Sequence, residues 1–153
     1  MNYQRNYYPR RPVKSFQDLE VYQKLLAVSV AAAKKIKSDK ILALALDLPV
    51  KIATAHSIRF SDQLGAIAKL EEAMLDCNIL VVYLEQYRDI ENTGDKGRNG
   101  TGSKDKGKIG TGTVETAFFE EQIKNLLTVR MKILHLQMSW KKFMAMKQKE
   151  QNV

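Results

Sequence analysis

The sequence predicts an all-α fold, an up-down-up-down four-helix bundle, on three observations. Helix formers such as Lys, Leu, Ala and Met outweigh the β-branched and aromatic residues that strands favour. Apolar residues recur at three- and four-residue intervals through four segments. Two serine–aspartate pairs and one glycine-rich stretch separate those segments. At 153 residues the chain fits one domain, large enough to bury a core without disulfides or metal.

Helix 1 is expected over about residues 16–37. Ser15 serves as N-cap with Asp18 at N3, and Asp18 and Glu20 favour the positive end of the helix dipole. Phe16, Leu19, Tyr22, Leu26, Val30 and Ala33 line its predicted apolar face, and Lys34, Lys35 and Lys37 sit at its C-terminal end. Ser38 and Asp39 then offer a turn and a new cap. Helix 2, about 40–60, is apolar almost all round, with Asp47 and Lys51 as an i,i+4 pair on its polar strip and a kink expected at Pro49. Ser61 and Asp62 cap helix 3, about 62–92, whose apolar positions include Leu64, Ile67, Ala68, Met74, Leu75, Ile79, Val82, Tyr83 and Tyr87.

Thr93 and Gly94 are expected to end helix 3. Residues 93–113 hold seven of the eight glycines and almost no apolar side chain, a composition that cannot offset its own ordering entropy and predicts a flexible loop. Helix 4, about 114–147, carries Phe118, Phe119, Ile123, Leu126, Leu127, Met131, Ile133, Leu134, Met138, Trp140, Phe143 and Met144. That arc is wider than one bundle core requires, so neighbouring subunits are expected to cover its second face. The resulting division is a basic, aromatic arm at 1–14, a bundle at 15–148 containing the 93–113 loop, and a tail at 149–153.

Charge is unevenly placed. Of the net +8, the arm carries +4, residues 94–112 carry +3 and residues 139–153 carry +3, so the helical remainder is slightly acidic. In an up-down-up-down bundle helix 1 begins and helix 4 ends at the same pole. That pole gathers Arg5, Arg10, Arg11, Lys14, Arg59, Lys141, Lys142, Lys147 and Lys149, the candidate nucleic-acid-binding residues. Lys34, Lys35, Lys37 and Lys40 mark the other pole, beside the lysine-rich loop. Tyr3, Tyr7 and Tyr8 interleave with the arm's arginines, a combination suited to stacking on unpaired bases while neutralising phosphates.

No catalytic constellation emerges, and no catalytic residue, metal ligand or cofactor is predicted. Cys77 is the single cysteine and lies in an apolar run, where it reads as a core thiol. His56 and His135 lack the spacing of di-iron or zinc sites. Glu72 and Asp76, one helical turn apart, read as a solvated face. Residues 102–109 approach a phosphate loop, but Ile109 stands where Ser or Thr must meet magnesium. The first residues lack the apolar stretch of a signal peptide, and no run of about 18 apolar residues is expected to span a bilayer. The expectation is a cytoplasmic protein with no membrane partner.

The segment Ser15-Phe16-Gln17-Asp18-Leu19-Glu20-Val21-Tyr22-Gln23-Lys24 resembles the opening of a bacterial four-helix-bundle family. That family includes proteins encoded in intervening sequences of 23S ribosomal RNA genes and the accessory variability determinants of diversity-generating retroelements. Leu48-Pro49-Val50-Lys51-Ile52-Ala53-Thr54-Ala55 is similar to the family's second-helix stretch, with three polar or small positions changed, and Trp140 resembles the tryptophan of the accessory determinants. The resemblance covers about 15–92 and 114–146. It implies a homopentameric barrel of bundles and a non-catalytic role in mutagenic copying: binding the element's reverse transcriptase and its template RNA, with cDNA as a further nucleic-acid partner. The alternatives are an intervening-sequence protein of unsettled activity or a structural helical adaptor.

Overall fold

The computed structural model describes residues 13–96 and 111–153. After a 3-10 turn at Phe16–Asp18, the described residues form α1 (Glu20–Lys35), α2 (Asp39–Ile58), α3 (Gln63–Lys96) and α4 (Thr111–Gln151), with no strand among them. Each helix packs on its neighbours in the order α1, α2, α3, α4 and back to α1. The α1–α2 edge of the bundle therefore lies opposite the α3–α4 edge.

Local capping sets the starts. Ser15 Oγ accepts from the Gln17 N–H at 3.3 Å, and the Asp18 carboxylate returns to the Ser15 N–H at 3.1 Å. This capping box closes only the 3-10 turn. Leu19 is extended at φ −72° and ψ 125°, and α1 starts one residue later. Ser38 Oγ accepts from the Ile41 N–H at 3.5 Å to open α2. Asp62 opens α3: its Oδ1 accepts from the Gly65 N–H at 2.9 Å and its backbone carbonyl from the Ala66 N–H at 2.9 Å. Asp62→Ala is expected to cost about 1 kcal/mol, read as a lower urea midpoint with an unchanged slope.

α2 runs continuously through Pro49, which is buried. The proline ring leaves the Ala45 carbonyl without its helical N–H partner. By length and mean hydropathy α2 is apolar enough to cross a membrane, although Asp47 and Lys51 interrupt its apolar run. Here it packs between α1 and α3 and buries Leu48, Ile52 and Ala55. The helices also claim both ends of the expected 93–113 loop. Thr93 Oγ1 donates back to the Asp89 carbonyl, a bond compatible with continued helix, and α3 reaches Lys96. Thr116 Oγ1 donates to Asn92 Oδ1 at 3.4 Å, tying the end of α3 to the start of α4. The rest of that stretch lies outside the described residues.

The core runs the length of the bundle, with Leu25, Leu48, Ile52, Leu70, Leu80 and Leu126 among its fully buried members. Several of the buried polar side chains within it find partners. Ser29 Oγ donates to the Leu26 carbonyl at 2.8 Å, and Gln137 Nε2 donates to the Ile67 carbonyl at 3.3 Å and to Glu71 at 3.2 Å.

Two further sequence expectations are corrected. The inward face of α1 is Val21, Leu25, Val28 and Ala32, while Leu26, Val30 and Ala33 face water. α1 is apolar over more than one stripe, and the neighbours decide which is covered. Asp76 is buried, not solvated: it forms an ion pair with Lys51 across the α2–α3 interface. Lys51 also meets Asp47 at 3.3 Å, the predicted i,i+4 pair, and Glu72 at 3.9 Å.

Candidate nucleic-acid interface

The basic pole is where α1 begins, α2 ends, α3 begins and α4 ends. Arg5, Arg10 and Arg11 lie outside the described residues. Lys14 is exposed, its backbone N–H held by Asp18 at 3.2 Å. Arg59 is the C-cap of α2, still helical at φ −57° and ψ −24°, and the chain turns toward α3 over residues 59–61. Lys141, Lys142, Lys147 and Lys149 are all exposed on the last turns of α4.

α4 outruns its partners. Trp140, Phe143 and Met144 stand level with Arg59 and Gln63 around one shared pocket, and residues 145–150 beyond them are all exposed. At ~1.5 Å per residue this leaves roughly 10 Å of helix projecting past the α2–α3 turn. The cations on that projection do not share one face. Lys142 and Lys149, two turns apart, lie together, whereas Lys147 points to the Phe143 side. Part of their charge also offsets the negative end of the α4 dipole.

Geometry brings Arg59 and Lys147 to aromatic rings. The Arg59 guanidinium lies 4.2 Å from the Phe60 ring centroid, and Lys147 Nζ lies 5.0 Å from that of Phe143. Arg59 is positioned from beneath by the last turn of α2: its Nη1 donates to the His56 carbonyl and stands 3.0 Å from His56 Nδ1. Burial lowers the His56 pKa, and the Arg59 charge lowers it further. A neutral ring with Nδ1 as acceptor fits that contact. Burial also lowers the Arg59 pKa, but from so high a value that the guanidinium stays charged at neutral pH.

Sequence reasoning did not single out the aromatic side chains Phe60, Trp140 and Phe143 as part of this pole's candidate interface. A signal exists in their spacing: Phe60 follows Arg59 directly, and Phe143 and Lys147 are one helical turn apart. At the opposite pole, Lys35 lies 4.8 Å from the Phe118 ring centroid and Lys40 lies 4.5 Å from that of Tyr83. These two lysines help dock α1 on α4 and α2 on α3, besides facing solvent.

The other candidates for chemistry are structural. Cys77 is buried, and burial pushes its thiol up to about 12, with Asp76 adding to the rise and Arg130 opposing it. Native protein at pH 8 is expected to leave Cys77 unmodified by iodoacetamide, with full alkylation in urea, as mass spectrometry would record. Among the described residues no three His, Cys, Asp or Glu side chains cluster with metal-site geometry. No protein-family model, curated protein or solved structure matches the chain.

Proposed function

We propose that the chain is a non-catalytic nucleic-acid-binding accessory protein of a diversity-generating retroelement. In this reading it binds the element's reverse transcriptase and template RNA and assembles as a homopentamer. The observation that carries nucleic-acid binding is the basic pole, where Arg59 and Lys147 lie against exposed aromatic rings, Lys141 and Lys142 stand exposed beside them and Lys149 rides on the projecting helix end. Cations displace condensed counterions from phosphates, and aromatic faces accept unpaired bases. Support for the retroelement and its polymerase comes from the family resemblance of residues 15–24, 48–55 and Trp140.

Ring assembly is supported by apolar side chains left exposed on opposite edges of the bundle. Leu26, Val30, Leu46 and Val50 lie on α1 and α2, and Leu75, Val82, Leu127, Met131 and Met138 lie on α3 and α4. Two different faces on opposite sides are what a head-to-tail ring requires, since each subunit presents one face to each neighbour.

The test is mobility of structured template RNA with the purified protein across a salt series. Binding is expected to weaken steeply with salt. Replacing Lys141, Lys142, Lys147 and Lys149 with glutamine is expected to flatten the log–log salt slope by about 3, at ~0.7–0.9 for each phosphate left unneutralised. Unaltered RNA mobility at low salt sinks the binding reading. Failure to copurify with a reverse transcriptase encoded beside its gene sinks the retroelement assignment.

A further inference from the structure

We propose that the pocket at the basic pole takes one unpaired nucleobase of a single-stranded RNA, stacked on the Trp140–Phe143 wall, with the flanking phosphates on Arg59 and Lys147. The inference rests on the RNA-binding reading above and deepens it by naming where a base, as distinct from a phosphate, is held.

The pocket is about 260 Å³ and lies between the α2–α3 turn and the end of α4, lined by Arg59, Phe60, Gln63, Trp140, Phe143 and Met144. It falls just below the roughly 300–1,000 Å³ of sites for drug-sized ligands, a scale suited to one flat ring system. The walls are mostly apolar, and the Gln63 amide and Ser139 hydroxyl supply the polar groups a base edge needs. Phe60 is 66% exposed and Phe143 49% exposed, so two large aromatic side chains stand in water at the pocket rim. Each already carries a cation, Arg59 over Phe60 and Lys147 over Phe143.

Charge complementarity chooses the occupant. A purely aliphatic partner would gain nothing from the two rim cations, whereas a nucleotide brings a π-face for the wall and an anion on each side. Stacking of this kind tolerates any base because every base has a π-face. A duplex keeps its bases stacked inside and offers this pole its phosphates alone.

Trp140 is the chain's single tryptophan, so the intrinsic fluorescence of the full-length protein reports on this wall. The probes are a single-stranded oligouridylate, an abasic oligomer of the same length, and an RNA duplex. Saturable quenching by oligouridylate is expected, with little from the abasic oligomer or the duplex. Phe143→Ala is expected to weaken oligouridylate binding roughly five- to hundredfold, the loss of one base–aromatic stack, against duplex affinity as the internal reference. Phe143→Tyr restores it. Phe60→Ala gives a second variant, at the more exposed of the two rings, expected to shift the same ratio.

Quenching by the abasic oligomer equal to that by oligouridylate overturns the pocket. So does RNA binding in mobility assays with unchanged Trp140 emission and unchanged affinity of both alanine variants; in that case the RNA-binding reading stands without it. Absence of RNA binding in every assay overturns both.

Discussion

Lys51→Ala is expected to lower the free energy of unfolding by about 2–4 kcal/mol. Breaking a buried ion pair by removing one partner costs ~3–5 kcal/mol, because the other charge stays buried and uncompensated. The Lys51 side chain is 19% exposed and that of Asp76 12%, so water reaches the stranded carboxylate slightly and trims the loss. Burial alone pulls the Lys51 pKa down. The hydrogen bonds and charges of Asp76 and Asp47 outweigh it, and the net pKa is raised. A raised ammonium pKa contributes stability that is complete below the unfolded value near 10.5 and lost as pH rises through the folded one. The stability gap between wild type and Lys51→Ala should therefore be constant across neutral pH and narrow above it. The paired replacement Lys51→Met with Asp76→Leu removes both charges and fills the space with apolar atoms. It is expected to recover most of the loss in urea unfolding, since such swaps are often neutral or stabilising. A double variant no more stable than Lys51→Ala would show that the pair does more than satisfy itself.

The helix ends are largely legible in the sequence because their signals are local. Ser38 and Asp62 each cap a helix through atoms within three residues, while Ser15 with Asp18 closes the 3-10 turn that precedes α1. Which stripe of α1 faces inward is not legible. The set 22, 26, 30 and 33 fits a helical period as well as the set 21, 25, 28 and 32, and only packing against α2 and α4 separates them. Asp76 misleads for the same reason: nothing near it in sequence announces Lys51, which sits 25 residues away on another helix. The basic pole follows from topology alone, since Arg59 and the end of α4 converge once the helices alternate in direction. What topology does not show is that Arg59 and Lys147 lie on aromatic rings, a matter of side-chain direction at the last turns of α2 and α4.

Substituting Leu127 and Met131 with glutamate is expected to collapse the proposed ring to the 17.4 kDa chain without unfolding it. α4 carries two apolar stripes. Phe119, Leu126, Val129 and Ile133 form one and are buried in the bundle; Leu127, Met131 and Met138, more than a third of a turn away, form the other and are 46–58% exposed. On α3, Leu75 and Val82 are exposed beside that second stripe, with half-buried Met74 and Leu134 in the groove between the helices. Charged side chains, among them Glu71, Glu72, Arg88 and Arg130, border these apolar positions, the pattern of an apolar patch with a polar rim that suits an interaction surface. Because these side chains are already in water in the isolated subunit, glutamate there costs the bundle little. In an interface it buries two charges per subunit pair and is prohibitive. Sedimentation equilibrium should give the wild type a mass near five times that of the chain and the double variant a mass equal to it, with the same helical circular dichroism. The reciprocal change on the opposite edge, Leu46 and Val50 to glutamate, should do the same if the ring closes head to tail. Mixing the two variants should not restore a ring. Each cross-contact of one kind pairs two intact faces, but the next contact around the circle pairs two charged ones, so the mixture should stop at dimers. A wild-type mass that stays at one chain over all concentrations would remove the ring, and a mixture that recovers the full mass would place the contact on some other face.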